Sequence, residues 1–253
     1  PAQFLDHDPD PDWDVTQARG RTYDVDFATD EGTWMSVDIS PDSQWIVFDM
    51  LGHIYRLPIA GGTAASLTQG SGVALNYHPR ISPDGRSIAF VSDRGGQANL
   101  WIMDADGRNP RIVFSDPISR ITGPTWAPDG NSIYAVREFP TYSMHRRSAR
   151  IWRFPVHPGG EPAAELVGAP SGTQAYWPTL TGDNRSLYFM ASSFAEPLHG
   201  LQRNQHIRRL DLGSGRIENV TAPTREREYR TGTNNELAPE VSPNGRWLAF
   251  ARR

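Results

Sequence analysis

Short runs of alternating apolar and polar residues, the period of a half-buried β-strand, recur along this chain behind one kind of turn. The turn reads Ser40-Pro41-Asp42-Ser43, Ser82-Pro83-Asp84-Gly85, Ala127-Pro128-Asp129-Gly130, Thr181-Gly182-Asp183-Asn184 and Ser242-Pro243-Asn244-Gly245. Its third residue recurs at spacings of 42, 45, 54 and 61. Four positions beyond it stand Ile46, Ile88, Ile133, Leu187 and Leu248, and six positions beyond it Phe48, Phe90, Ala135, Phe189 and Phe250. Alternate apolar positions behind a Pro-Asp-Gly turn predict a strand that buries one of its faces.

Each unit continues in the same order. A second apolar run carries Ile54-Tyr55, Leu100-Trp101, Ile151-Trp152 or Ile207, and a Gly-bearing turn follows at Gly61-Gly62, Asp106-Gly107, Gly159-Gly160 or Gly213-Ser214-Gly215. Such turns supply the positive φ that tight hairpins demand. A last short strand closes the unit, and one more precedes each Pro-Asp-Gly turn. Four strands per ~40–45 residues, repeated, predict an all-β fold, a β-propeller of four-stranded antiparallel blades. The blades fall at about 34–72, 73–119, 120–172 and 173–230, with a shortened one at 235–253. That is about four and a half blades of an expected six or seven, which reads as part of something longer. The recurrent apolar residues Ile46, Phe48, Ile88, Phe90, Ile133, Leu187, Phe189 and Leu248 should be buried between blades.

Residues 1–21 are acidic and Pro-rich and read as a flexible lead-in. The alternating stretch Thr22-Tyr23-Asp24-Val25-Asp26-Phe27-Ala28 reads as a strand placed to complete a last blade, so the propeller is expected over 22–253. Charge and composition narrow the partners. Asp+Glu number 29 against 25 basic residues, all of them Arg, for a net charge of −4. No basic field points to nucleic acid. The chain has no Cys, so neither a disulfide framework nor a thiolate metal site is available. No apolar run approaches the ~18 residues of a membrane helix.

The unit "HPRISPDGRSIAFVSDRGGQANLWIMDADGRNPR" resembles the WD-repeat-like blade of TolB-type propellers, a likeness that extends over 33–253. The same blade occurs in prolyl-oligopeptidase-type peptidases. A narrower stretch, "TDEGTWMSVDISPDSQWIVFDMLGHIYRLPIAGG", resembles the lead into bacterial amidohydrolases that carry such a propeller ahead of a metal-dependent hydrolase barrel. The resemblance implies a periplasmic or secreted location. It also implies a catalytic domain beyond Arg253 that would hold a divalent metal such as zinc. No cofactor is expected in this chain. Its seven His, at 7, 53, 78, 145, 157, 199 and 206, form no His-x-His or His-x-x-x-His pair, and no Gly-x-Ser-x-Gly elbow occurs. The partner is therefore expected to be that C-terminal domain, or another envelope protein if the chain is a free-standing TolB-like module. A peptidase propeller is the third reading.

Three connections are longer than their counterparts: 137–150, 192–205 and 222–235. In a four-stranded blade these kinds of connection emerge on one face, opposite the Pro-Asp-Gly turns, so the insertions are expected to build one rim. Arg146, Arg147, Arg150, His199, Arg203, Arg225 and Arg227 would crowd there, suited to an acidic neighbouring domain or an anionic substrate. Glu138, Glu196, Glu226 and Glu228 would offset part of that charge. His78 lies on an innermost strand between Asn76 and Arg80, toward the channel. Asp42, Asp84 and Asp129 are expected to stabilise turns, and Tyr55, Trp101 and Trp152 to fill the core.

Overall fold

The computed structural model describes residues 14–18, 20–23, 27–139, 148–157, 162–167, 173–194, 203–221 and 236–252. Within them lie four antiparallel sheets of four strands and a fifth of two, each sheet in chain order. The first sheet holds β1 (Val37–Ile39), β2 (Trp45–Met50), β3 (His53–Pro58) and β4 (Ala65–Ser66). The second holds β5 (Asn76–Ile81), β6 (Ser87–Ser92), β7 (Asn99–Asp104) and β8 (Arg111–Phe114). β9 (Arg120–Trp126), β10 (Ser132–Phe139), β11 (Ser148–Pro155) and β12 (Ala164–Val167) form the third. β13 (Thr173–Leu180), β14 (Ser186–Phe194), β15 (Arg203–Asp211) and β16 (Ile217–Asn219) form the fourth, and β17 (Glu236–Val241) pairs β18 (Leu248–Arg252). A single 3₁₀ turn at Gln69–Ser71 is the helical structure among the described residues.

The first strands of the sheets stand side by side, β1 against β5, β5 against β9, β9 against β13 and β13 against β17. That is the radial arrangement of a propeller, with these five strands as the inner wall. The recurrent turn is held by its own side chains. Ser82 Oγ donates to Asp84 Oδ1 at 2.6 Å, Asp84 Oδ1 accepts the Arg86 N–H, and Ser82 Oγ accepts the Ser87 N–H at 2.9 Å. Ser40–Asp42, Thr181–Asp183 and Ser242–Asn244 repeat the device. Ala127 has no hydroxyl, and there Asp129 retains only its bond from the Asn131 N–H. These hydrogen bonds, from Ser82 or Thr181 first, hold the Asp84 and Asp183 carboxyls below the usual range. The carboxylates belong to turns.

Alternation along the strands explains the packing. Trp45, Val47 and Ile54 of the first sheet meet Ile81, Ile88, Phe90 and Met103 of the second. Ala89, Val91 and Leu100 then meet Ile121, Ile133 and Phe154 of the third, and Val136 and Ile151 meet Leu187, Phe189 and Leu210 of the fourth. One strand thus supplies two interfaces. Ile88, Phe90, Ile133, Leu187 and Phe189 are buried as the pattern predicts. Ile46, Phe48 and Leu248 are half-buried instead. In β2 the buried residues are Trp45, Val47 and Asp49, so Ile46 and Phe48 point the other way, where no described sheet packs.

Among its described residues the lead-in is held at Thr16. Asp14 Oδ1 accepts the N–H and hydroxyl of Thr16, and the Thr16 carbonyl accepts the Val73 N–H at 3.1 Å. Gly72, at φ +59°, makes room for it: a Cβ there would stand 1.9 Å from the Thr16 oxygen. In the strand-like stretch 22–28, residues 24–26 lie outside the described residues, and Tyr23 and Phe27 are exposed.

Candidate functional site

The order of strands puts the connections between second and third strands, and those from one blade to the next, at one end of the sheets. Arg146, Arg147, His199, Arg225 and Arg227 lie outside the described residues. Arg203 opens β15, its backbone opposite Phe194. Arg150 sits in β11, where its guanidinium pairs Glu165 at 2.8 Å and its Nε–H donates to Ser148 Oγ. It is a half-buried strand residue with a partner on its own blade.

The described polar groups at that end are likewise engaged, within one blade or with the next. Arg137 pairs Asp116 and donates to Ser119 Oγ, beneath the rings of Phe114, Phe139 and Trp152 at 4.5–5.0 Å. Burial pushes the Asp116 carboxyl up, but the Ile118 N–H, Ser119 and Arg137 outweigh it and hold it at about 2. Arg94 bonds Asn76 Oδ1 at 2.7 Å and lies over Phe90 and Trp101. Trp101 and Trp152 pack against the inter-blade clusters with buried indole N–H groups that have no partner.

The inner wall carries a feature that strand patterning alone does not reveal. Four of its strands are bulged at the same place. Between Tyr77 and Arg80, Thr122 and Thr125, Tyr176 and Thr179, and Leu237 and Glu240, the inner strand advances three residues while its partner advances two. The bulged residues His78, Gly123, Trp177 and Ala238 have φ of +48° to +55°, and each precedes a proline: Pro79, Pro124, Pro178 and Pro239. Holding a non-glycine residue there costs roughly 1–2 kcal/mol. The visible signal was the proline four residues before the turn position, since proline inside a strand marks a bulge or an edge.

The bulges touch around the wall. The His78 N–H donates to Asp49 Oδ2 at 2.6 Å, Asp49 Oδ1 accepts the Ser36 N–H, and His78 Nδ1 accepts the Gly123 N–H at 3.3 Å. The imidazole proton therefore sits on Nε2. Burial, then Arg80, lowers the His78 pKa against the opposing pull of Asp49. The space beside Gly123 is closed by Trp177 Cδ1, 3.9 Å from where a Cβ would stand.

Two residues further along each inner strand lies a second tier: Asp38, Arg80, Thr125, Thr179 and Glu240. Asp38 Oδ2 accepts the Ile81 N–H of the next blade at 2.7 Å, and Thr179 Oγ1 stands in the same relation to Val241 N at 3.4 Å. Arg80 Nη1 donates to the Val37 and Pro79 carbonyls. Thr179 Oγ1 donates to Glu240 Oε2 at 3.3 Å. Burial raises the Asp38 and Glu240 carboxyls, and Arg80 opposes it at both. Among the described residues no three His, Asp or Glu side chains are grouped to hold a metal ion. No helix among them is long and apolar enough to cross a membrane.

Comparison with known proteins agrees with this geometry. Residues 53–167 match the family model of the lipoprotein LpqB β-propeller domain. The Bacillus subtilis protein named as the peptidase YuxL is 42% identical over 72 residues, 28% of this chain and 11% of that protein. The Agrobacterium fabrum protein Atu1656 is 29% identical over 200 residues, 79% of this chain and 61% of that protein. The chain thus spans only part of these relatives. A TolB structure from Agrobacterium tumefaciens superposes with a TM-score of 0.63 at 22% identity, covering 85% of this chain and 68% of that one. The fold is a TolB-like β-propeller.

Proposed function

We propose that this chain is the non-catalytic propeller of an exported, periplasmic or secreted bacterial hydrolase, of the metal-dependent amidohydrolase kind. It would act as a scaffold that docks the catalytic domain and gates access to it. The observation that carries this reading is how the described charged groups at the loop end are spent. Asp116 and Arg137 join the second blade to the third, and Arg150 and Glu165 pair within the third, an arrangement that builds a platform rather than a reaction centre. The sequence supports it further, with no nucleophile elbow and no paired His ligands. A peptidase propeller is the second reading, favoured by the 42% identity to a protein named as a peptidase.

The test falls on the long connections. In the polypeptide that joins this chain to its hydrolase domain, replacing Arg146, Arg147 and Arg203 together with Ala should leave the melting temperature unchanged. Substitutions that remove no packed or paired group usually alter stability by less than ~0.5 kcal/mol. Turnover, or protection of the interdomain junction from protease, should fall several-fold. A triple variant with wild-type turnover and protection would refute docking through this rim.

A further inference from the structure

We propose that the inner wall around β13 and β17 binds an organic cation on an aliphatic stem, such as a Lys or Arg side chain or a free diamine. The stem would lie on the Trp177 indole and the charged head would reach the carboxylates of Asp38 and Glu240. Trp177 carries the first part of this inference. It occupies a left-handed bulge, at φ +50°, that Gly123 and Ala238 fill without a large side chain in the neighbouring blades. The bulge therefore does not require an aromatic ring. Yet the indole is there, 42% exposed, its edge against a glycine that leaves it uncovered. A strained, exposed aromatic residue on an inner wall is a reason to look for what it touches. An indole face is the best side-chain platform for a cation.

The charges carry the second part. The tier below holds two carboxylates, Asp38 and Glu240, against one guanidinium, Arg80. Arg80 Nη1 is also occupied by the Val37 and Pro79 carbonyls. His78 adds no positive charge, because its Nδ1 accepts the Gly123 N–H and burial disfavours its protonated form. With Asp49, whose carboxylate faces His78, the carboxylates of this wall outnumber its one guanidinium, which forms an ion pair with none of them. Glu240 is exposed, yet crowding by protein raises its carboxyl, and Asp38 adds to that rise. A bound cation would relieve both carboxylates. The two tiers are one two-residue step of strand apart, about 7 Å, which a four-carbon stem spans. This site is independent of whether a hydrolase domain docks at the rim.

Titration calorimetry at low salt tests it on the intact chain, with agmatine and a Lys-containing acetylated peptide as probes. Calcium chloride and a neutral disaccharide serve as contrasts. Agmatine or the peptide should bind, and the tighter of the two identifies a free amine or a polypeptide as the source. Trp177→Gly should weaken binding about tenfold or more without lowering the melting temperature, since glycine accepts the bulge conformation. Glu240→Gln and Asp38→Asn should each weaken it similarly, and Arg80→Met should tighten it several-fold. Failure of both probes to bind, equal affinity in Trp177→Gly and Glu240→Gln, or binding of calcium or the disaccharide in their place would overturn the proposal.

Discussion

Phe90→Ala is expected to lower the unfolding free energy by about 3–5 kcal/mol, the cost of deleting a fully enclosed ring. Phe90 is wholly buried between the first two blades, among Trp45, Val47, Ile54 and Met103. Arg94 also stands over its ring at 5.3 Å, so the cavity would leave that guanidinium with one aromatic partner fewer. The informative control is Phe48→Ala. Phe48 occupies the same repeat position one blade earlier but is half-buried, stacked on Tyr55 at 5.6 Å. Less of its ring leaves water on folding, so its removal should cost roughly 1–2 kcal/mol. Urea unfolding of both variants at constant m-value separates them. Equal losses would mean that the two faces of the first blade are buried alike, against the geometry described.

Asp116→Ala should rank next, at roughly 2–4 kcal/mol. Removing one member of a buried ion pair costs about 3–5 kcal/mol because the other charge stays behind unpaired. The Asp116 and Arg137 side chains retain 13% and 15% exposure, which moderates that figure. Arg137 would keep Ser119 and its three aromatic rings but lose its counter-charge. The pair also predicts a pH dependence. The folded-state carboxyl, at about 2, lies below its ordinary value near 4. Its contribution is therefore present above about pH 4 and is lost as the pH falls toward 2. Acid unfolding of Asp116→Asn should be flatter than wild type over that window. An unchanged acid limb would assign the acid sensitivity to other carboxylates.

Much of this architecture was legible in the residues. The turn dictated the strands on either side of it, and the apolar positions behind Asp84, Asp129 and Asp183 named the buried residues of the central blades. The half-burial of Ile46, Phe48 and Leu248 was not legible, because burial there depends on what packs against the outer face of a whole sheet. The bulges at His78, Gly123, Trp177 and Ala238 escaped for a related reason. A bulge is a mismatch of count between two strands, and only the pairing register reveals it. The prolines that mark it were visible, but they read as ordinary strand punctuation until Pro79, Pro124, Pro178 and Pro239 fell into one ring. Of the rim residues, Arg150 shows how loop and strand are confused at a boundary: an extended β11 takes it into the sheet and gives it Glu165.

The central proposal is that this propeller docks and gates a catalytic domain and supplies no catalytic group of its own. Its most direct test is hydrolysis by the purified 253-residue chain, assayed on amide and ester substrates with and without added zinc or another divalent metal. The expected result is no turnover above the buffer rate under either condition. Metal-dependent turnover that co-purifies with the protein and disappears on replacing any one of its seven His residues would contradict the account.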